Sequence, residues 1–163
     1  MNSTAEIIEY ISTTGYSNSS PMAKFALNSK KMAYDLVDKG ITPRKSLTLN
    51  RPNISSEFYL PYILGYFDGD GSLSKLQNEE YSLSFQGTKE TLEWINEVLE
   101  TDMKLEKRYE NEKNSFYIRC GGNNKPYSIL QKLYSSIPAK ICLERKYKIY
   151  KNLEAVVLSK NTK

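Results

Sequence analysis

Between residues 81 and 120 the chain alternates apolar and polar positions with period two, the pattern of strands that bury one face and leave the other open. Tyr81, Leu83 and Phe85 interleave with Ser82, Ser84 and Gln86, while Phe116, Ile118 and Cys120 interleave with Tyr117 and Arg119. Residues 105–109 read as the hairpin partner of the second run, joined to it through the polar turn at 110–114. Between the two runs the period changes. Leu92, Ile95, Val98 and Leu99 fall at helical spacing within 89–99, which predicts an amphipathic helix with its apolar stripe inward and Thr88 as N-cap. The expectation is an α+β fold: a mixed or antiparallel sheet with helices on one face and hydroxyls, amides and basic groups on the other.

The earlier part of the chain reads as the back half of the same unit, with helix at 6–11, strand at 22–27 and helix at 30–37. Its ending repeats later. Gly40-Ile41-Thr42-Pro43-Arg44-Lys45-Ser46 parallels Ile141-Cys142-Leu143-Glu144-Arg145-Lys146-Tyr147, each following an amphipathic helix and each carrying an Arg-Lys pair. The sequence is therefore divided into a partial first half, 1–54, and a complete second half, 55–163.

Composition narrows the chemistry. The 163 residues are 39% hydrophobic, as in an ordinary globular protein. No apolar run approaches the roughly 20 residues a membrane-spanning helix needs. The start of the chain lacks the basic and apolar regions of a signal peptide, so the expected location is the cytoplasm. With no histidine, and only Cys120 and Cys142, zinc sites of the Cys/His type, Ser-His triads and a histidine general base are all removed. Carboxylates, lysines and a metal ion remain. The net charge of +4 is unevenly spread: 24–51 and 103–163 are rich in Lys and Arg, and 52–102 is acidic. Two basic blocks suit a polyanion, since each neutralised phosphate releases counterions. A solvated lysine-rich surface is the other reading of charge alone.

The most informative segment is Leu60-Pro61-Tyr62-Ile63-Leu64-Gly65-Tyr66-Phe67-Asp68-Gly69-Asp70-Gly71-Ser72. Pro61 suits the first turn of a helix. Gly65 and Gly69 lie one turn apart on one face, and each costs a helix roughly 0.5–1 kcal/mol relative to alanine. A tight seam with another helix would justify that cost; helix termination is the simpler reading for Gly69 and Gly71. Asp70 falls where the helix ends, facing the partial negative charge of its C-terminus, a placement that calls for a cation. Two such helices side by side would bring together two Asp70 carboxylates and flanking carbonyls such as that of Gly69, an all-oxygen site suited to Mg²⁺. A calcium loop using Asp68, Asp70, Ser72 and Glu79 fails at its sixth position, where Leu73 stands in place of the required glycine.

This segment resembles the signature motif of the LAGLIDADG homing endonucleases, in the form Gly65-Tyr66-Phe67-Asp68-Gly69-Asp70-Gly71-Ser72. The likeness extends to 44–49, 85–89 and 143–147. The resemblance implies an αββαββα unit that binds double-stranded DNA on its sheet and cuts both strands with Mg²⁺. It implies Asp70 as metal ligand, and Lys45 and Lys146 as the lysines near the scissile phosphates. Asp68 is left a structural or capping role. Gln86, Lys89, Lys107, Arg108, Tyr117, Arg119 and Arg145 are the candidate DNA contacts, subject to strand register. One feature departs from the family: a single motif accompanies part of another half. Cleavage then implies a homodimer through the motif helix. A non-cleaving, maturase-like or regulatory DNA-binding derivative is the competing reading, and a decayed gene product that folds poorly is a third. The resemblance implies a gene carried by an intron or intein, or standing free.

Overall fold

Ile7, Ile8, Tyr10 and Ile11 are β-branched or aromatic, types that suit a pleated strand better than a helix. In the computed structural model they belong to strand β1, Ile7–Ser12. The structure describes residues 6–12, 20–43, 45–111, 113–137 and 141–161, and the chain divides into two units, 1–36 and 37–163. In the first, β1 pairs antiparallel with β2, Ser20–Phe25, in a register running from Ile7↔Phe25 to Ser12↔Ser20. The helix expected over 6–11 is corrected to a strand, because cross-strand pairing outweighs a local pattern that is ambiguous over six residues. Helix α1, Lys30–Asp38, forms where it was expected, with the Ser29 hydroxyl accepting from the Met32 amide. Residues 37–54, grouped by sequence with the first half, lie spatially in the second unit. Arg44, one member of the repeated Arg-Lys pair, is outside the described residues.

The second unit is built on helix α2, Tyr59–Asp70, and strands β3, Gly71–Lys75, and β4, Tyr81–Gly87. Helix α3, Lys89–Leu99, and strands β5, Leu105–Lys107, and β6, Phe116–Gly122, follow. Helices α4, Asn124–Tyr134, and α5, Glu144–Asn161, complete it. The sheet order is β3-β4-β6-β5, and every neighbouring pair is antiparallel. The alternation read from sequence sets the faces. Leu73, Tyr81, Leu83, Phe85, Ile118 and Cys120 are buried beneath the helices, in one core with Ile63, Leu64, Phe67, Leu92, Ile95 and Leu130. The register puts Ser72, Ser74, Ser82, Ser84, Gln86, Glu106, Tyr117 and Arg119 on the opposite face. The expected α+β architecture is observed, with two final helices where the sequence suggested one helical stretch.

Local chemistry explains the element ends. Thr88 accepts a hydrogen bond from the Thr91 amide at 3.2 Å, the N-cap expected of it. Gly71 follows α2 in extended conformation, φ −88°, so no left-handed backbone explains the glycine. Space does: a Cβ there would lie 2.3 Å from Phe67 Cδ2 and 2.6 Å from the Phe67 carbonyl oxygen. Burying an aromatic such as Phe67 or Phe85, whose rings meet at 5.5 Å, contributes roughly 1.5–3 kcal/mol.

Tyr127, Tyr134, Tyr147 and Tyr150 cluster where α4 meets α5, with Tyr134 and Tyr150 rings 4.8 Å apart. Burial raises the phenol pKa of Tyr134 and Tyr150 well above its ordinary value, and does the same to Tyr66 on α2. A group whose pKa is raised by folding contributes stability present below its unfolded pKa and lost as pH rises from that value through the folded one. Stability measured by chemical denaturation is therefore expected to hold from neutral pH to about pH 9 and to fall above about pH 10, where the unfolded chain's tyrosines ionise. Lys146, whose pKa is lowered, acts in the opposite direction as a single group. A stability that rises through that window contradicts the burial of these phenols.

Candidate functional site at the end of the motif helix

Helix α2 buries Ile63, Leu64 and Phe67 and turns Gly65, Gly69 and Asp70 outward. A Cβ built on Gly65 or on Gly69 meets nothing within 4 Å, so this stripe of the helix is open. At its C-terminal end lies a cleft of about 430 Å³ whose polar lining includes Lys45, Tyr66, Asp70, Gln86, Arg108 and Ser115. The cleft joins the helix terminus to the open sheet face through Gln86.

Lys45 reaches this cleft because the segment carrying it is tied down from two sides. The Leu49 carbonyl accepts hydrogen bonds from the hydroxyls of Thr88 and Thr91, and the Leu47 carbonyl accepts one from Asn114 Nδ2 at 3.1 Å. Leu49 itself is buried. Lys45 Nζ then stands 3.7 Å from Asp70 Oδ2, both side chains about half exposed. Such a pair contributes about 0–1 kcal/mol in water, so its geometry matters more than its strength.

Tyr66 was not singled out from sequence. It lies one turn before Asp70 on α2, and its hydroxyl donates to the Gln86 carbonyl. Gly87 makes room for it: a Cβ on that glycine would lie 2.1 Å from the Tyr66 hydroxyl oxygen. The signal was available as the four-residue spacing to Asp70, one helical turn.

Lys146 is the most consequential placement. The residue is 1% exposed, and Nζ donates to the carbonyls of Phe67, of Asp68 at 3.1 Å and of Gly71 at 2.6 Å. An ammonium has three N–H donors, and these contacts employ all of them. The cation that Asp70's position called for is thus partly supplied by the chain itself: α5 delivers a lysine to the C-terminal carbonyls of α2. Burial lowers the Lys146 pKa, and the neighbouring Arg145 charge acts in the same direction. Asp68 makes the reciprocal bond, its Oδ2 accepting from the Leu143 amide at 2.7 Å just ahead of α5. This is the capping role expected of it, directed to another helix.

The other candidates separate. Gln86, Tyr117 and Arg119 lie on the open sheet face, and Arg108 lines the cleft. Lys107 does not share that face. Its register partner is Phe116, which places it on the helix-covered side, and its Nζ donates to the Glu110 carbonyl at 3.0 Å. Lys89 sits in the first turn of α3, its Nζ 3.7 Å from Glu93 Oε1. Arg145 is exposed in the first turn of α5.

For a metal ion, the donor set decides. Among the described residues no group of three or more His, Cys, Asp or Glu side chains is placed to hold one. Asp70 contributes one carboxylate, and Gly69 a carbonyl near the same helix end. That set fits Mg²⁺, which binds through one or two carboxylates and keeps several waters, only as part of a shell completed by phosphate oxygens, water or a second copy.

No family model matches the chain, and no curated protein does. Among solved structures, the chain is similar to the crystal structure of the homing endonuclease I-CvuI in complex with the I-CreI target in the presence of 2 mM Mg, with the DNA not cleaved. The identity is 14%, the TM-score 0.36, and the match covers 51% of this chain and 59% of that one, less than two thirds of its length. A likeness of that degree assigns no role to any residue here.

Proposed function

We propose that this protein binds double-stranded DNA on the open face of the β3-β4-β6-β5 sheet and hydrolyses it at a Mg²⁺-dependent centre built around Asp70. The observation that carries this reading is the convergence of Asp70, Lys45, Gln86 and Arg108 on one cleft at the rim of a polar sheet face. The likeness of residues 65–72 to the LAGLIDADG motif supports it independently. Arg108 and Lys45 are placed to meet phosphate oxygens, and Gln86 and Arg119 to meet base edges in the major groove. A bound Mg²⁺ supplies an activated water and neutralises charge on the phosphoryl oxygens. Asp70 holds that ion from the protein side. Lys146 holds the helix end that carries Asp70, and acts as a positioning residue.

A double-strand cut needs two such centres, and one chain provides one Asp70. The open Gly65 and Gly69 stripe supports a homodimer in which two α2 helices meet closely. Replacing Gly65 with leucine is expected to leave the monomer folded, since the position faces open space, and to raise helix stability by up to about 1 kcal/mol. The same variant blocks close helix approach, so analytical ultracentrifugation should find a wild-type dimer on DNA and a monomeric variant. A wild-type protein that stays monomeric on DNA refutes the seam.

The test of the function is incubation of the full chain with a randomised duplex library and Mg²⁺, followed by sequencing of the ends produced. Recurrent cut sites are the expected result. Retention of duplex at low salt without any cut selects the non-cleaving, DNA-binding reading.

A further inference from the structure

Among the described strand residues of the open sheet face, Glu106 is the one carboxylate, and it stands beside Arg119 and Tyr117. A negative charge on a surface that meets a polyanion is unfavourable unless it has a task. Glu106 Oε2 accepts the Tyr117 hydroxyl and lies 3.8 Å from Arg119 Nη2. Tyr117 and Arg119 are two residues apart on β6, hence on the same face, and the Arg119 guanidinium lies over the Tyr117 ring at 5.5 Å from its centroid. Three groups thereby fix one another. The guanidinium is steered by the ring beneath it and the carboxylate beside it, while its side chain remains 60% exposed.

This arrangement is more specific than a phosphate contact. A lysine or arginine meant for phosphate needs reach and charge, and a carboxylate 3.8 Å away diminishes both. A guanidinium held in one orientation can instead donate two parallel bonds to guanine O6 and N7, and a carboxylate can accept from the N4 amino group of cytosine. Guanine O6 and cytosine N4 are neighbours in the major groove of one base pair. Glu106 Oε1 takes part in neither contact named above and is available to the cytosine.

We propose that Arg119 and Glu106, aligned by Tyr117, form a reading element for one G·C pair and act as specificity-determining residues. This rests on the sheet face being the DNA-binding surface. The pairing makes the two residues interdependent: Arg119 selects guanine, and Glu106 both orients Arg119 and repels the carbonyl and N7 acceptors of other base edges.

The experiment is a binding selection on a randomised duplex library with the full chain, comparing wild type with Glu106→Gln and Arg119→Lys. Both substitutions are on the surface, and an unchanged circular dichroism spectrum verifies that each variant is folded. The expected wild-type site contains one position with a G·C preference of about tenfold or more. At that position alone the preference falls to about twofold or less in each variant, while preferences elsewhere in the site persist. An unchanged preference in either variant overturns the reading element and leaves DNA binding intact. Failure of the wild type to retain any duplex at low salt overturns both, and is distinguishable because no position then shows a preference.

Discussion

Asp70→Asn is expected to abolish Mg²⁺-dependent DNA cleavage, by about a thousandfold or more, while leaving duplex retention intact. The magnitude follows from the several kcal/mol that a bound divalent ion contributes to phosphoryl transfer, at about 1.4 kcal/mol per factor of ten. The substitution preserves the side chain's size and removes its charge. In the folded protein Asp70 lies at the C-terminus of α2, where a negative charge is unfavourable by about 0.3–1 kcal/mol, and its partner Lys45 is half exposed at 3.7 Å. The variant should therefore be as stable as wild type or slightly more so. Lost activity together with retained or raised thermal stability is the combined signature of a carboxylate kept for chemistry. Equal cleavage by both proteins removes Asp70 from the mechanism, and a marked loss of stability shows that it serves the fold.

Lys146→Met is expected to destabilise the protein by on the order of 3–5 kcal/mol, read from the shift in denaturant midpoint at constant slope. Methionine keeps the apolar bulk but removes the ammonium over the Phe67 ring and the donor to the carbonyls of Phe67, Asp68 and Gly71, of which only that of Phe67 retains another, the Gly71 amide. All three lie wholly or partly out of water where α2 passes into β3, and each unmet bond there costs about 1–3 kcal/mol. Set against a typical total of 5–15 kcal/mol, the loss is large. Arginine does not rescue it, since a planar fork cannot direct three donors at three carbonyls around one nitrogen. The outcome separates two roles. A lysine acting directly on phosphate would lose activity on substitution with stability unchanged; a lysine that positions α2 loses stability first. A shift under about 0.5 kcal/mol rules out the positioning role.

Much of the second unit was legible because its signals are local. Period-two alternation in 81–86 and 116–120 fixed which side of each strand is buried, and the stripe of Leu92, Ile95 and Leu99 set the inward face of α3. Thr88 is a cap for reasons contained within four residues. The motif helix and the position of Asp70 at its end were likewise readable from Pro61, the glycines and the carboxylates. Residues 6–11 were misread because six residues with four β-branched or aromatic side chains satisfy either period, and the deciding partner, β2, is supplied by chain that lies beyond the window.

The tertiary structure decided what depends on distant partners. Sequence placed Lys146 and Lys45 as equivalent members of a repeated pair, yet one is buried against two carbonyls of α2 and that of Gly71, and the other stands half exposed beside Asp70. Nothing local distinguishes them. The difference is made by α5 packing near the end of α2 and by Leu49 hanging on the hydroxyls of Thr88 and Thr91, contacts that span 75 and about 40 residues. Register put Lys107 on the covered face and set Glu106 beside Arg119, a choice of one residue that no alternation in a three-residue strand can make. The sequence by itself determined the elements, their buried faces and the carboxylate at the helix end, because short-range periodicity and capping suffice for those. Which cation meets which oxygen was decided only in three dimensions, because hydrogen-bond partners are chosen by packing.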